Sequence, residues 1–169
     1  MRAPRGLASV VVAVAMLWAP ASSVTQAAGP QSSSASSREI SPRRAVRLAT
    51  WHVDAELVAG KTVVDLAVFR DVWTILTMVR IGASDDLILA YADGAGMRYN
   101  EAARPAADRA QAWVDWASGV VHAEASTPQG NLTEQLGVTI HTFYGELLVH
   151  IRARGVWIRT FAESLVGPG

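Results

Sequence analysis

The segment Glu146-Leu147-Leu148-Val149-His150-Ile151-Arg152-Ala153-Arg154 decides the fold class that the sequence predicts. Its odd-numbered residues are all apolar, whereas its even-numbered residues are mostly charged or titratable. Alternation with a period of two is typical of a β-strand with one buried face. This segment is therefore predicted to be the clearest strand of the chain, and Gly155 separates it from another strand over residues 156–161.

Further strands are predicted on the N-terminal side of this segment. Residues 120–126 and 137–144 also follow a period close to two, and the turn-forming residues 127–131 lie between them. A shorter strand is predicted over Gly96–Glu101, after the Asp93-Gly94 break. From residue 120 onward the chain is thus expected to form an antiparallel meander.

Helices are predicted in the first half of the domain. Thr62, with Asp65 three positions later, forms a capping pattern at the start of the first helix, and Gly82 ends it. Ser84 caps a short second helix, and a third helix runs from Pro105 to Ser118. Its inner face is predicted to consist of Ala106, Ala110, Trp113 and Ala117. The apolar stripe of the first helix that is predicted to face the core consists of Phe69, Val72, Trp73, Leu76 and Val79.

Helices followed by antiparallel strands predict an α+β domain, with N-terminal helices packed on one face of a curved antiparallel sheet. Residues 1–28 contain two arginines, an apolar run and small residues in the order of a secretory signal peptide. The Ser-rich residues 29–44 are predicted to be a flexible linker. A single domain is expected over residues 45–169, and retention of the signal as a membrane anchor is the alternative to its cleavage.

Composition excludes several classes of function. Without Arg2 and Arg5 of the signal the chain carries 13 basic and 15 acidic residues, so it has no electrostatic footprint for nucleic acid. It has no cysteine, which excludes disulfides, thiol chemistry and a lipoprotein anchor. Fourteen of its 15 basic residues are arginine, a bias expected from a GC-rich bacterial genome. Phosphate-binding and dinucleotide fingerprints are missing, so no cofactor is expected.

Three segments in order resemble the SnoaL-like branch of the NTF2-like superfamily, over about Leu66 to Phe161. They are Phe69-Arg70-Asp71-Val72-Trp73, the stretch Asp85-Asp86-Leu87-Ile88-Leu89-Ala90-Tyr91-Ala92-Asp93, and residues 146–157. The resemblance implies a cone-shaped α+β fold with a pocket between helices and sheet, as in polyketide cyclases and ketosteroid isomerase. Tyr99 stands near the position of the isomerases' general-base aspartate, and Trp157 replaces the cyclases' histidine, so the family's own chemistry is not carried over.

Three residues of the segment 146–154 are candidates for catalysis. On a strand, Glu146, His150 and Arg152 share one face, so a carboxylate, an imidazole and a cation could converge on one ligand. Glu146 or His150 would act as base, and Arg152 or Tyr99 would hold developing negative charge. The alternative is that this face is the solvated side of an antiparallel strand. No pair of histidines has metal-ligand spacing, so no metal site is predicted.

Four aromatic residues are candidates for binding a small apolar or aromatic molecule. Trp73, Tyr99, Trp113 and Trp157 come from two predicted helices and two predicted strands, as the walls of an apolar pocket do. The alternative is that they are core residues.

Two functions are therefore left open by the sequence. The first is an exported, NTF2-like protein that binds a small molecule, with cofactor-free isomerase or cyclase activity as an option. The second is a membrane-tethered module of the cell envelope that assembles with a partner and catalyses nothing, with the sheet face as the interface of a homodimer. Both place the protein in the secreted or extracytoplasmic compartment, and membrane contact is expected only if the signal is retained.

Overall fold

The computed structural model describes residues 40–123 and 130–167, and every regular element in these ranges is an α-helix. Helix α1 spans Pro42–Arg80, α2 spans Asp85–Asp93, α3 spans Ala95–Ala123 and α4 spans Gly130–Val166. At 1.5 Å per residue the three long helices are roughly 45 to 60 Å long. They form one bundle, in which the short α2 covers one end.

Contacts between the long helices define their directions. Helices α1 and α3 are antiparallel, because Arg98 bonds to Asp71 whereas Arg109, later in α3, bonds to Glu56, earlier in α1. Helix α4 is parallel to α1, since Glu146 meets Lys61 and the later Arg154 meets Asp65. The bundle is therefore up, down and up.

The ends of α1 follow its sequence. Ser41 precedes the helix and Pro42 lies in its first turn, where a missing N–H costs nothing. The predicted end at Gly82 is confirmed: α1 ends at Arg80, and Gly82 has a φ of +71°, which glycine adopts without strain. Ser84 occupies the position before α2, as predicted, but its side chain makes no capping hydrogen bond.

The core of the bundle is built from small and branched residues of the three long helices. Ala106, Ala110 and Ala117 are buried on α3, which confirms the predicted inner face of the third helix. A methyl group at Gly60 of α1 would lie 3.3 Å from Leu147 Cδ1 and 3.4 Å from Ala106 Cβ. Glycine at this position therefore lets all three long helices approach closely.

The predicted α+β class, with its antiparallel sheet and NTF2-like cone, is wrong, since the described residues contain no strand. The segment 146–154 lies inside α4. Besides the alternation, the segment also fits a helical period, since the buried residues of α4 recur at steps of four and seven. These residues are Leu136, Phe143, Leu147, Ile151, Ile158 and Ala162. The alternation placed Val149 beside Leu147, but Val149 is exposed.

The other predicted strands are corrected in the same way. Gly96–Glu101 forms the first turns of α3, which begins ten residues before the predicted start at Pro105. Residues 137–144 and 156–161 belong to α4, and residues 120–123 belong to α3. Residues 124–129, which include part of a predicted strand and most of the predicted turn, lie outside the described residues. Long helices outweigh these short β-like patterns because three of them together bury one continuous core.

The face of α1 that packs inward also differs from the prediction. Phe69, Trp73 and Leu76 were expected in the core but are exposed, and the buried line runs instead through Val64, Asp71 and Ile75. Thr62 does not cap a helix; its hydroxyl donates to the carbonyl oxygen of Val58, one turn earlier in the same helix, at 2.8 Å. Helix α1 thus carries an apolar stripe on each of two opposite faces.

The predicted signal peptide over residues 1–28 lies outside the described residues, as does most of the predicted linker. Helix α1 begins at Pro42, three residues before the predicted domain boundary at Ala45. Within residues 40–123 and 130–167, no helix is both long and apolar enough to cross a membrane.

Candidate functional site

The predicted catalytic residues lie on α4, and their side chains, which would share one face of a strand, lie on different sides of this helix. Glu146 and His150 are one turn apart and both face α1. Arg152 is two residues beyond His150, on the exposed side of α4, and has no ion-pair partner among the described residues. Because successive residues of a helix are rotated by about 100°, these three side chains do not converge.

Glu146 and His150 instead take part in an ionic cluster between α1 and α4. Lys61 Nζ lies 2.7 Å from Glu146 Oε2. His150 Nε2 lies 3.0 Å from Asp65 Oδ1, and Arg154 Nε donates to the same oxygen at 2.7 Å. Each carboxylate in the cluster already faces a basic group, so the cluster presents paired charges rather than an unpaired acid or base.

A shallow groove runs beside this cluster along α4. It encloses about 540 Å³ and is open to solvent. Its lining consists of Lys61, His141, Thr142, Gly145, Glu146, Val149, His150 and Ala153. Within the described ranges, no three His, Asp or Glu side chains lie together as metal ligands would. The groove lacks the depth that ligand sites use to exclude water.

The four predicted ligand-binding aromatics do not wall a common pocket, and none of them lines the groove. Trp73 is 60% exposed on α1, whereas Tyr99 is fully buried on α3. Trp113 stacks on His52, with ring centroids 3.7 Å apart, and Trp157 stacks on Phe161. Tyr99 and Trp113 are about 20 Å apart along α3, at 1.5 Å per residue.

A buried polar cluster that sequence reasoning missed joins α1, α2 and α3. Asp71 is fully buried and accepts hydrogen bonds from Arg98 Nε at 3.2 Å and Nη2 at 2.7 Å. The hydroxyl of Tyr91 donates to its other oxygen at 2.9 Å. The available signal was the position of Asp71 between Val64 and Ile75, on a line of apolar residues at helical spacing, where an acid needs a partner.

The two tyrosines of this region respond to the same surroundings. Burial raises the pKa of Tyr91, and its hydrogen bond to the negatively charged Asp71 adds to the rise. Burial, followed by the charge of Asp71, raises the pKa of Tyr99 further. The Tyr99 hydroxyl is buried without a hydrogen-bond partner among the described residues. This cluster is enclosed by three helices, so it holds the bundle end together rather than facing a ligand.

A long run of exposed apolar side chains lies on the face of α1 that points away from α3 and α4. We call this face the outer stripe. It consists of Leu48, Trp51, Ala55, Val58, Thr62, Leu66, Phe69, Trp73 and Leu76. Trp51 is 65% exposed, Phe69 63% and Trp73 60%, and Val58 and Leu66 are exposed to a similar extent. Soluble monomers rarely leave such a contiguous patch in water, and patches of this kind mark sites of interaction.

Comparisons of the chain with protein-family models, with curated proteins and with solved structures find no match.

Proposed function

We propose that this protein is an interaction module of the cell envelope, which assembles with a protein partner through the outer stripe of α1 and has no catalytic activity. The observation that carries this proposal is the exposure of Trp51, Phe69 and Trp73 along one face of a 39-residue helix. Export by the predicted signal over residues 1–28 is part of the proposal.

The size of the outer stripe supports this function. A fully exposed aromatic side chain presents roughly 150–250 Å², and Trp51, Phe69 and Trp73 are 60–65% exposed, so together they offer about 300–450 Å². The aliphatic side chains of the stripe bring the total to about 500 Å². A typical stable interface buries about 800 Å² on each partner, of which the stripe alone would supply the greater part.

The chemistry of α1 favours a protein over a lipid surface as the partner. Helices that lie on membranes carry Lys and Arg beside their apolar face. Between Trp51 and Leu76 the chain has two basic residues, Lys61 and Arg70, against four acidic ones, and the other arginines of α1 lie toward its ends, at positions 43, 44, 47 and 80. Along the middle of the stripe, anionic headgroups would therefore meet more acidic than basic side chains.

The arrangement of the other candidate residues argues against catalysis. Glu146 and His150 are engaged in ion pairs across α1 and α4, beside a groove that is open to solvent. The candidate aromatics are distributed over three helices without a common cavity.

Photo-cross-linking in living cells tests the proposal. A benzophenone amino acid is introduced at Phe69 of the full chain, and a matched probe is placed at Asn100, an exposed polar position of α3. We expect discrete protein adducts from position 69, lost when Trp73→Ser is added, and none from position 100. Equal labelling at both positions, or labelling of lipid alone from position 69, would contradict the proposal.

A further inference from the structure

We infer that the partner of the outer stripe is a second copy of this chain, whose α1 packs antiparallel with a two-fold axis at Thr62. This inference rests on the proposed function and names the partner of the same surface. The residues of the outer stripe have the same spacing in both directions from Thr62. Positions 4, 7, 11 and 14 residues before and after Thr62 all belong to the stripe.

The spacing matches the seam of two packed helices. From Leu48 to Leu76 the stripe advances 28 residues in eight steps, or 3.5 residues per step. This is the period at which two helices keep one seam in contact along their length. The buried face of α1 is already occupied by α3 and α4, so the outer stripe is a second seam, and it faces away from both helices.

Side-chain size favours the antiparallel arrangement. With the axis at Thr62, each Ala55 meets the large Phe69 of the partner helix, and each Val58 meets Leu66. Trp51 meets Trp73, and Leu48 meets Leu76 at the ends. In a parallel pair Phe69 would meet Phe69 while Ala55 met Ala55, which would crowd one layer and leave a void in another.

A two-fold axis is consistent with the character of the surface. In such an interface the same patch is used by both copies, so it must be complementary to itself. The charged residues nearest its centre are Lys61, which is paired with Glu146, and Asp65, whose carboxylate is already bound by Arg154 and His150. No unpaired charge therefore has to be buried at the middle of the interface.

Single cysteines test the register, because the natural chain contains none. In the full chain, Thr62→Cys places identical residues at the axis, within disulfide reach of each other. Ala55→Cys places the two thiols about 20 Å apart in the antiparallel dimer, but opposite position 69. Asn100→Cys on α3 is the control for random collision.

Under mild oxidation, we expect T62C to form a disulfide-linked dimer, and A55C and N100C alone to stay mostly monomeric. A mixture of A55C and F69C chains with tags of different size should yield the mixed dimer. Trp73→Ser without cysteine should weaken dimerisation roughly 100-fold, because the Trp51 and Trp73 contact occurs twice and buried tryptophans dominate interfaces. Sedimentation measures this last effect, and circular dichroism checks the helix content of every variant.

The outcomes separate this inference from the proposed function. Efficient self-cross-linking of A55C would show a parallel pair and overturn the inference, as would a monomeric chain that does not cross-link through T62C. If position 69 still gave photo-adducts with a different protein, the interaction module would stand with another partner. If position 69 gave no protein adduct at all, both would fall.

Discussion

Replacing Arg98 by methionine should destabilise the bundle by about 3–4 kcal/mol. Arg98 donates two hydrogen bonds to Asp71 Oδ2, which is fully buried, and a third to the carbonyl oxygen of Tyr91 at 3.0 Å. Removing one partner of a buried ion pair typically costs about 3–5 kcal/mol, because the other charge remains in the protein interior. The lower part of this range applies because Tyr91 and Arg70 still approach the carboxylate, at 2.9 and 3.5 Å.

The measurement is urea unfolding of the full chain, followed by circular dichroism at 222 nm. A loss of about 3 kcal/mol is a large part of the roughly 5–15 kcal/mol that stabilises a typical domain, and should lower the melting temperature by about 10 °C. The matched control is Arg104→Met on the same helix. Arg104 and its partner Asp108 are 78% and 73% exposed, so this change should cost less than about 0.5 kcal/mol.

A second variant keeps the reasoning testable if Arg98→Met does not fold. In the double variant Asp71→Leu/Arg98→Met, neither charge remains, and an apolar pair of similar size is often as stable as the ion pair. We expect the double variant to regain most of the lost stability. A cost below about 1 kcal/mol for Arg98→Met alone, or a double variant less stable than Arg98→Met, would refute the view that an uncompensated buried charge is the cause.

Three further outcomes are expected from the same unfolding measurements. Tyr91→Phe should destabilise the protein by about 1.5–3 kcal/mol, because it removes a hydrogen-bond donor to the Asp71 carboxylate. Tyr99→Phe should instead stabilise it by about 1 kcal/mol, because it removes a buried hydroxyl that has no partner among the described residues. Equal effects of the two substitutions would contradict this reasoning. Burial raises the pKa of Tyr99 above its ordinary 10.0, so the folded state must keep this tyrosine protonated. Folding stability is therefore unaffected by this group below pH 10 and falls as the pH rises toward the raised pKa, and Tyr99→Phe should make this alkaline loss less steep. Gly119→Ala should stabilise the protein by up to about 1 kcal/mol, because the added methyl group meets no other atom. Gly60→Leu should cost at least about 2 kcal/mol, because the larger side chain collides with Leu147 and Ala106. A neutral effect of Gly60→Leu would show that the helices do not pack closely at this position.

The helical parts of the fold could be predicted where the chain carries end signals together with a helical period. The end of α1 at Gly82, the start of α2 after Ser84 and the inner face of α3 along Ala106 and Ala110 all follow from such signals. Each is local, since a turn, a cap or a stripe depends on residues a few positions apart. These features therefore do not depend on how distant parts of the chain pack.

The second half of the chain was predicted wrongly because two periods overlap in it. Around Leu147 and Ile151, apolar residues occupy both alternate positions and positions four apart, so the same letters fit a strand or a helix. The period alone cannot decide between them. Packing against α1 and α3 decides in favour of the helix, because these two helices form a long surface that buries one line of residues of α4.

The candidate site depended on this choice. Glu146, His150 and Arg152 share a face only if the backbone is extended, and in a helix the first two turn to Lys61 and Asp65 while Arg152 faces solvent. The pairing of Asp71 with Arg98 links residues 27 positions apart and so has no local signature.

By itself, the sequence determined that α1 is helical and apolar near its C-terminal end, that turns follow it at Gly82 and Ser84, and that no disulfide could join the helices. Only the tertiary structure decided which of the two apolar stripes of α1 faces inward. The stripe with smaller side chains and Asp71 is buried, because Gly60 and the alanines of α3 allow close packing there and Arg98 neutralises the acid. The bulkier stripe, with Trp51, Phe69 and Trp73, is left on the surface, where a partner can bury it.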